Sequence, residues 1–431
     1  MLNAPASSEL IDSRYAAWRL FITLCLVSLG SSCMYVVSVV LPAVQTEFGT
    51  SRADASLPYT LMMICLGIGG VWTGKLADRF GISPVLWIGS VAVLAGFVVA
   101  GLAPNIWVFG LAHGLLLGLL GSSATFAPLM ADTSLWWNKR RGIAVAICAS
   151  GNYVAGAVWP PLAQLGIQTM GWRYTYVAMG LFCGLGMAIL SFAMRQRPPL
   201  VTHDAAPAKS SDSLTDSYSE SLTDSYSESS ATCASSHQHP FGLQLGRAQI
   251  LLCVAGFACC VAMSMPQVHI VAYCGDLGYG AARGAEMLSL MLTCGIISRL
   301  LSGWICDRIG GVSTLLLGSA LQGLALLLFL PFNGLVPLYI ISGMFGLFQG
   351  GIVPSYAIIV REHFPPKEAG ARVGSVIMAT LLGMALGGWM SGEIFDLTGS
   401  YQAAFLNGLA WNLLNLSISL WLFWRLRSRL V

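Results

Sequence analysis

One guanidinium stands inside an apolar run. Arg299 lies within Met287–Cys306, a stretch with no other charged residue. A charge at such depth costs about 2.5–3.5 kcal/mol on insertion scales, so it must meet a polar partner or line a cavity. Its planar, permanently charged fork suits two-point capture of a carboxylate. The competing reading is an Arg that snorkels to the nearer face, with Asp307 only two turns further on. His269, in Met265-Pro266-Gln267-Val268-His269, is a second titratable group in an apolar run. It is able to carry a proton or donate to a ligand, or else to serve as a hydrogen-bonded packing residue. Tyr35, Asn152, Tyr153, Gln349 and Tyr356 could add polar contacts, while His113, flanked by Gly110 and Gly114, reads as a helix-contact residue. Gln349-Gly350-Gly351 and Val353-Pro354 would let their helix bend.

The elements that must position these groups follow from composition. Of 431 residues, 56% are hydrophobic and 10% charged, against about 25% charged in soluble domains, which excludes a water-soluble globular protein. Twelve apolar runs fall at about Trp18–Val44, Leu57–Leu76, Val85–Ala103, Ile106–Met130, Ile143–Gly166, Tyr174–Met194, Ile250–Cys274, Met287–Cys306, Val312–Phe332, Leu335–Val360, Val373–Met390 and Ala404–Phe423. Each is near the 20 or so residues a membrane helix needs. With 48 glycines and no long alternating segments, packed helices fit and an outer-membrane barrel does not. Eleven of the twelve cysteines lie in or beside these runs without metal-type spacing, and read as small packing residues. The polar, acidic stretch before Arg14 offers no cleavable leader.

The expected organisation is a six-helix bundle over 1–194, a linker over 195–247 and a second six-helix bundle over 248–431. The linker carries the octapeptide Ser-Leu-Thr-Asp-Ser-Tyr-Ser-Glu twice in tandem, at Ser213–Glu220 and Ser221–Glu228, and reads as disordered. Eighteen Lys and Arg fall on the side of the chain ends and three, Arg52, Arg173 and Arg283, on the other. That bias puts both termini and the linker in the cytoplasm. No nucleotide-binding glycine loop, zinc spacing or nucleophile elbow is present, so no enzyme, cofactor, metal or nucleic-acid partner is expected.

The two halves repeat. Gly74-Lys-Leu-Ala-Asp78-Arg79-Phe-Gly81 after the second run returns as Gly303-Trp-Ile-Cys-Asp307-Arg308-Ile-Gly310 after the eighth, 229 residues on. Such duplicated halves place a binding site near the midplane between them. The duplicated motif resembles the hallmark loop of the major facilitator superfamily, though Ser83, Pro84, Val312 and Ser313 stand where that loop usually turns basic. The resemblance implies close helix contact at Gly74 and Gly303, and a helix-end network of Asp78, Arg79, Asp307 and Arg308 that holds the cytoplasmic face closed in one state.

Trp137-Asn-Lys139-Arg140-Arg141-Gly-Ile-Ala144, running on to Gly151, is similar to the loop entering span five of monocarboxylate transporters and their bacterial oxalate/formate-type relatives. Gly392-Glu-Ile-Phe-Asp396-Leu-Thr-Gly399-Ser-Tyr401 resembles the same family's turn after span eleven. The resemblance implies that Arg299, four residues before Gly303, binds a substrate carboxylate, with Arg140 and Arg141 in the gating loop. Two departures bear on proton coupling: the family's acid one turn before that Arg is Gly295 here, and its first-span Lys is absent. The chain therefore reads as a major facilitator fold moving small organic anions, monocarboxylates above all, by alternating access as a monomer in a plasma or bacterial inner membrane. Proton linkage is left open. The alternatives are an exporter of drugs, metabolites or siderophore-like anions, and a transport-dead sensor signalling through its linker.

Overall fold

A computed structural model describes residues 11–137, 139–196, 240–365 and 368–428, with no β-strand among them. The tandem octapeptide and most of the expected linker lie outside the described residues, as do Arg197, Lys209, Lys367 and Arg429. Twelve helical spans are long and apolar enough to cross a membrane. Spans 1 to 6 are Arg14–Phe48, Arg52–Phe80, Ile82–Gly101, Ile106–Trp136, Gly142–Met170 and Trp172–Ala193. Spans 7 to 12 are Leu245–Asp276, Ala281–Ile309, Gly311–Leu328, Leu335–His363, Ala369–Thr398 and Tyr401–Arg427.

Several helices outrun their apolar stretches because side-chain caps start them early. The Ser51 hydroxyl accepts from the Asp54 N–H and begins span 2 at Arg52, while Ser400 accepts from the Gln402 N–H and begins span 12. The duplicated motif ends each time in the same turn. Gly81 has φ 89° and ψ 169°, Gly310 has φ 81° and ψ 163°. Each closes its helix by donating to a carbonyl four residues back, Ala77 and Cys306, at 2.8 Å. This backbone region is essentially reserved for glycine.

Span 2 packs along span 11 and span 5 along span 8, with a lesser contact between spans 1 and 7, and space is left between the two sets of six helices. Small residues permit the closest helix approaches within the second set. A Cβ added to Gly346 would lie 1.9 Å from the Met291 carbonyl oxygen, and one added to Gly383 would lie 2.3 Å from that of Phe257. Three spans facing the central space are irregular near their middles. Span 1 breaks at Ser31, span 4 widens into π-helical turns over Ala112–Ser122, and span 10 breaks between Gln349 and Ile352. Large apolar side chains such as Trp72, Leu102, Phe182 and Leu397 cover the outside, where a bilayer would bathe them.

Candidate functional site

A cavity of about 310 Å³ lies between the two sets of helices. Arg299 of span 8 lines it and is the single charged side chain to do so among the described residues; Tyr35, Asn152 and Tyr153 share the lining. The guanidinium sits 4.3 Å over the Tyr153 ring, a cation–π arrangement worth about 0.5–2 kcal/mol as water is excluded. Its Nη1 donates to the Ala149 carbonyl of span 5 at 2.9 Å, and its Nε to the Gly350 carbonyl at 3.5 Å. A guanidinium has five N–H donors, so these backbone bonds orient the fork and leave donors for a ligand. Gly295 explains itself here. A Cβ at that position would lie 2.5 Å from Tyr153 Cε1, so the ring occupies the space an acidic side chain would need. Asn152 presents a buried Oδ1 that has no hydrogen-bond partner.

The other expected contacts do not line this cavity. His269 is fully buried, with Nε2 2.7 Å from the Gly388 carbonyl and Nδ1 3.1 Å from the Tyr401 hydroxyl. A carbonyl only accepts, so Nε2 carries the hydrogen and Nδ1 takes the tyrosine proton: both nitrogens are committed. Tyr356 donates to Asn415 Oδ1 at 2.8 Å inside the second set of helices. Gln349 is fully buried at the span 10 break, with both amide atoms lacking a protein partner. His113 bonds the Phe109 carbonyl and the Tyr176 hydroxyl, as a packing residue would.

The sequence reading missed a cluster at the face away from the chain ends. Arg52, at the start of span 2, donates from both terminal nitrogens to Asp276 at 3.2 Å and from Nη1 to the Tyr401 hydroxyl at 2.9 Å. Asp396 accepts from the backbone N–H groups of Arg52 and Ala53 at 2.9 and 2.7 Å, so a residue of the second set caps a helix of the first. Tyr401 extends the chain to His269, and Thr60 donates to the Ala385 carbonyl one turn deeper. Asp396 and Tyr401 stand in the turn already singled out after span 11, so the signal was present without its partner.

The opposite face, which carries the chain ends, is different. Among the described residues no ion pair involves Asp78, Arg79, Asp307 or Arg308, and the one ion pair joining the two sets is Arg52–Asp276. A Cβ on Gly74 or Gly303 would meet nothing within 4 Å, so the close contact expected there is not made in this conformation. Arg140 is exposed ahead of span 5, and the Arg141 side chain lies outside the described residues. Cavity lining at Gly70, Val71 and Gly374 reaches toward this face. Arg19, at the start of the first apolar run, is buried against Asp132 of span 4 at 2.9 Å and lies 4.4 Å over the Trp136 ring.

A family model described as the Major Facilitator Superfamily matches residues 20–345 and 250–430. This chain belongs to the major facilitator superfamily. Within that superfamily it is similar to monocarboxylate transporter 13 of Rattus norvegicus, 26% identical over 354 residues that make up 82% of this chain and 75% of that protein. It is also similar to an uncharacterized MFS-type transporter of Bacillus subtilis (strain 168), 24% identical over 369 residues, 82% of each chain. A peptide transporter in complex with alafosfalin superposes with a TM-score of 0.69 at 14% identity, over 96% of this chain and 98% of that one, a likeness of fold. The protein is thus a multi-pass membrane transporter of a small molecule, and no enzyme.

Proposed function

We propose that the protein is a secondary transporter of organic anions, monocarboxylates above all, that works by alternating access. Arg299 receives the carboxylate, with Tyr35, Asn152 and Tyr153 beside it. The observation that carries this reading is Arg299 as the one charge on the cavity wall among the described residues, held over Tyr153 with donors to spare. Residues 1–194 and 248–431 move as two bodies, with 195–247 joining them in the cytoplasm together with both termini, as the basic-residue bias implies. On that orientation the described conformation faces inward. The Arg52–Asp276–Asp396–Tyr401 cluster is the outer gate, and Asp78, Arg79, Asp307 and Arg308 engage when the inner face closes.

Counterflow in proteoliposomes tests the reading. Vesicles loaded with unlabelled pyruvate or lactate should accumulate the labelled acid with wild-type protein. Arg299→Gln should cut exchange at least tenfold, and Arg299→Lys should retain part of it, because charge survives but the two-point fork does not. Unchanged exchange and half-saturation in Arg299→Gln would sink the assignment.

A further inference from the structure

We infer that the site is built for an amphiphilic carboxylate, with its anionic head at Arg299 and an alkyl or aryl body laid against the methionines of span 11 at its seam with span 2. The inference rests on the anion-carrier reading above and adds the part of the substrate that reading leaves open. The cavity is divided in polarity. At the seam of spans 5 and 8 stand Asn152, Tyr153 and Arg299. At the other seam, where span 2 meets span 11, the lining is Leu66 and Gly67 from one helix and Met378, Leu381 and Met384 from the other, with Met62 and Met63 fully buried behind them.

That second wall has almost nothing to offer a polar group. Its one hydroxyl, Thr380, donates to the Ile377 carbonyl of its own helix at 2.6 Å. The wall is also continuous across the seam. A Cβ on Gly67 would fall 2.6 Å from Met378 Sδ, so the thioether lies directly on span 2. Methionine is unbranched and polarizable, so such a surface can reshape around an alkyl chain or a flat ring. A cavity of about 310 Å³ is in the range that encloses a drug-sized ligand. A short hydroxy or keto acid held at Arg299 would leave the methionine wall facing water. A ligand with an apolar tail removes that water, and each methylene so buried should tighten binding about fourfold.

The test is equilibrium binding to wild-type protein in nanodiscs, with empty nanodiscs as the blank, because longer free acids cross bilayers unaided and would blur a flux assay. The probes are acetate, butyrate, hexanoate, phenylacetate and lactate, each beside its primary amide. The expected result is a dissociation constant falling about fourfold per methylene from acetate to hexanoate, phenylacetate binding among the longer acids, and amides at least tenfold weaker. In Met378→Gln and Met384→Gln, which keep side-chain length and lose apolarity, the dependence on chain length should flatten. A flat series in which lactate binds as well as hexanoate and binding vanishes in Arg299→Gln would overturn the tail assignment and leave the anion carrier standing. A steep series untouched by both methionine variants would also overturn it. Amides binding as tightly as acids would remove the anion reading itself, a distinct failure.

Discussion

Replacing Asp396 by Ala should open the face of the protein that Arg52 and Ala53 now help to close. The carboxylate takes two backbone N–H groups at the start of span 2, at 2.9 and 2.7 Å, and both belong to the opposite half of the molecule. Loss of a helix-capping acceptor costs about 0.5–2 kcal/mol. Two bonds are lost together, but Asp396 is solvent-exposed, so about 1–2 kcal/mol is the working range. Since these bonds exist only while spans 2 and 11 meet at this face, the cost falls on one conformation. It converts to a shift of about 5–30-fold in the balance between the two. Hydrogen–deuterium exchange in nanodiscs reads this directly: the peptide covering Arg52–Thr60 should exchange faster by that factor. Asp396→Asn should recover only part of the protection, because its amide has one accepting oxygen where the carboxylate uses both of its oxygens. Unchanged exchange in Asp396→Ala, with transport also unchanged, would refute the gate.

Two further outcomes follow from groups far from the cavity. Arg19→Gln leaves Asp132 buried without its countercharge, and breaking such a pair typically costs about 3–5 kcal/mol, so a marked fall in thermal stability in detergent is expected. Arg19→Gln combined with Asp132→Asn should recover part of it. Gly310→Ala forces a side chain to φ near 81°, a strain of about 1–3 kcal/mol, and should lower the melting temperature, whereas Gly303→Ala, whose Cβ meets open space, should not.

The twelve spans and the repeated halves were legible because they depend on features read one segment at a time: run length and the Asp-Arg motif at a fixed offset. Arg299 was legible for a related reason, as a charge inside an apolar run is costly wherever the chain folds. The cluster around Arg52 was not. Arg52, Asp276 and Asp396 each sit at a helix end, where a charge is ordinary, and only folding brings them within hydrogen-bond distance. The pairing of Arg19 with Asp132 was hidden in the same way, since the two residues are far apart in sequence and only folding joins them. His269 stood out because histidine is rare in apolar runs, yet Gly388 and Tyr401 claim both its nitrogens. The methionine wall was invisible, because a methionine that lines a cavity has the same neighbours in sequence as one that fills a core.

Filling the place of an acid with the Tyr153 ring has an electrical consequence. With Arg299 the one charge on the cavity wall among the described residues, the proposed carrier would turn over empty bearing a net positive site and would turn over neutral when loaded with a carboxylate. A full elementary charge crossing the membrane field is worth about 2.3 kcal/mol per 100 mV. An inside-negative voltage therefore holds the unloaded protein inward-facing and slows its return, while the loaded step is indifferent to voltage. One-for-one exchange should run at a rate the membrane potential scarcely touches, and net movement in a single direction should be the mode that voltage throttles.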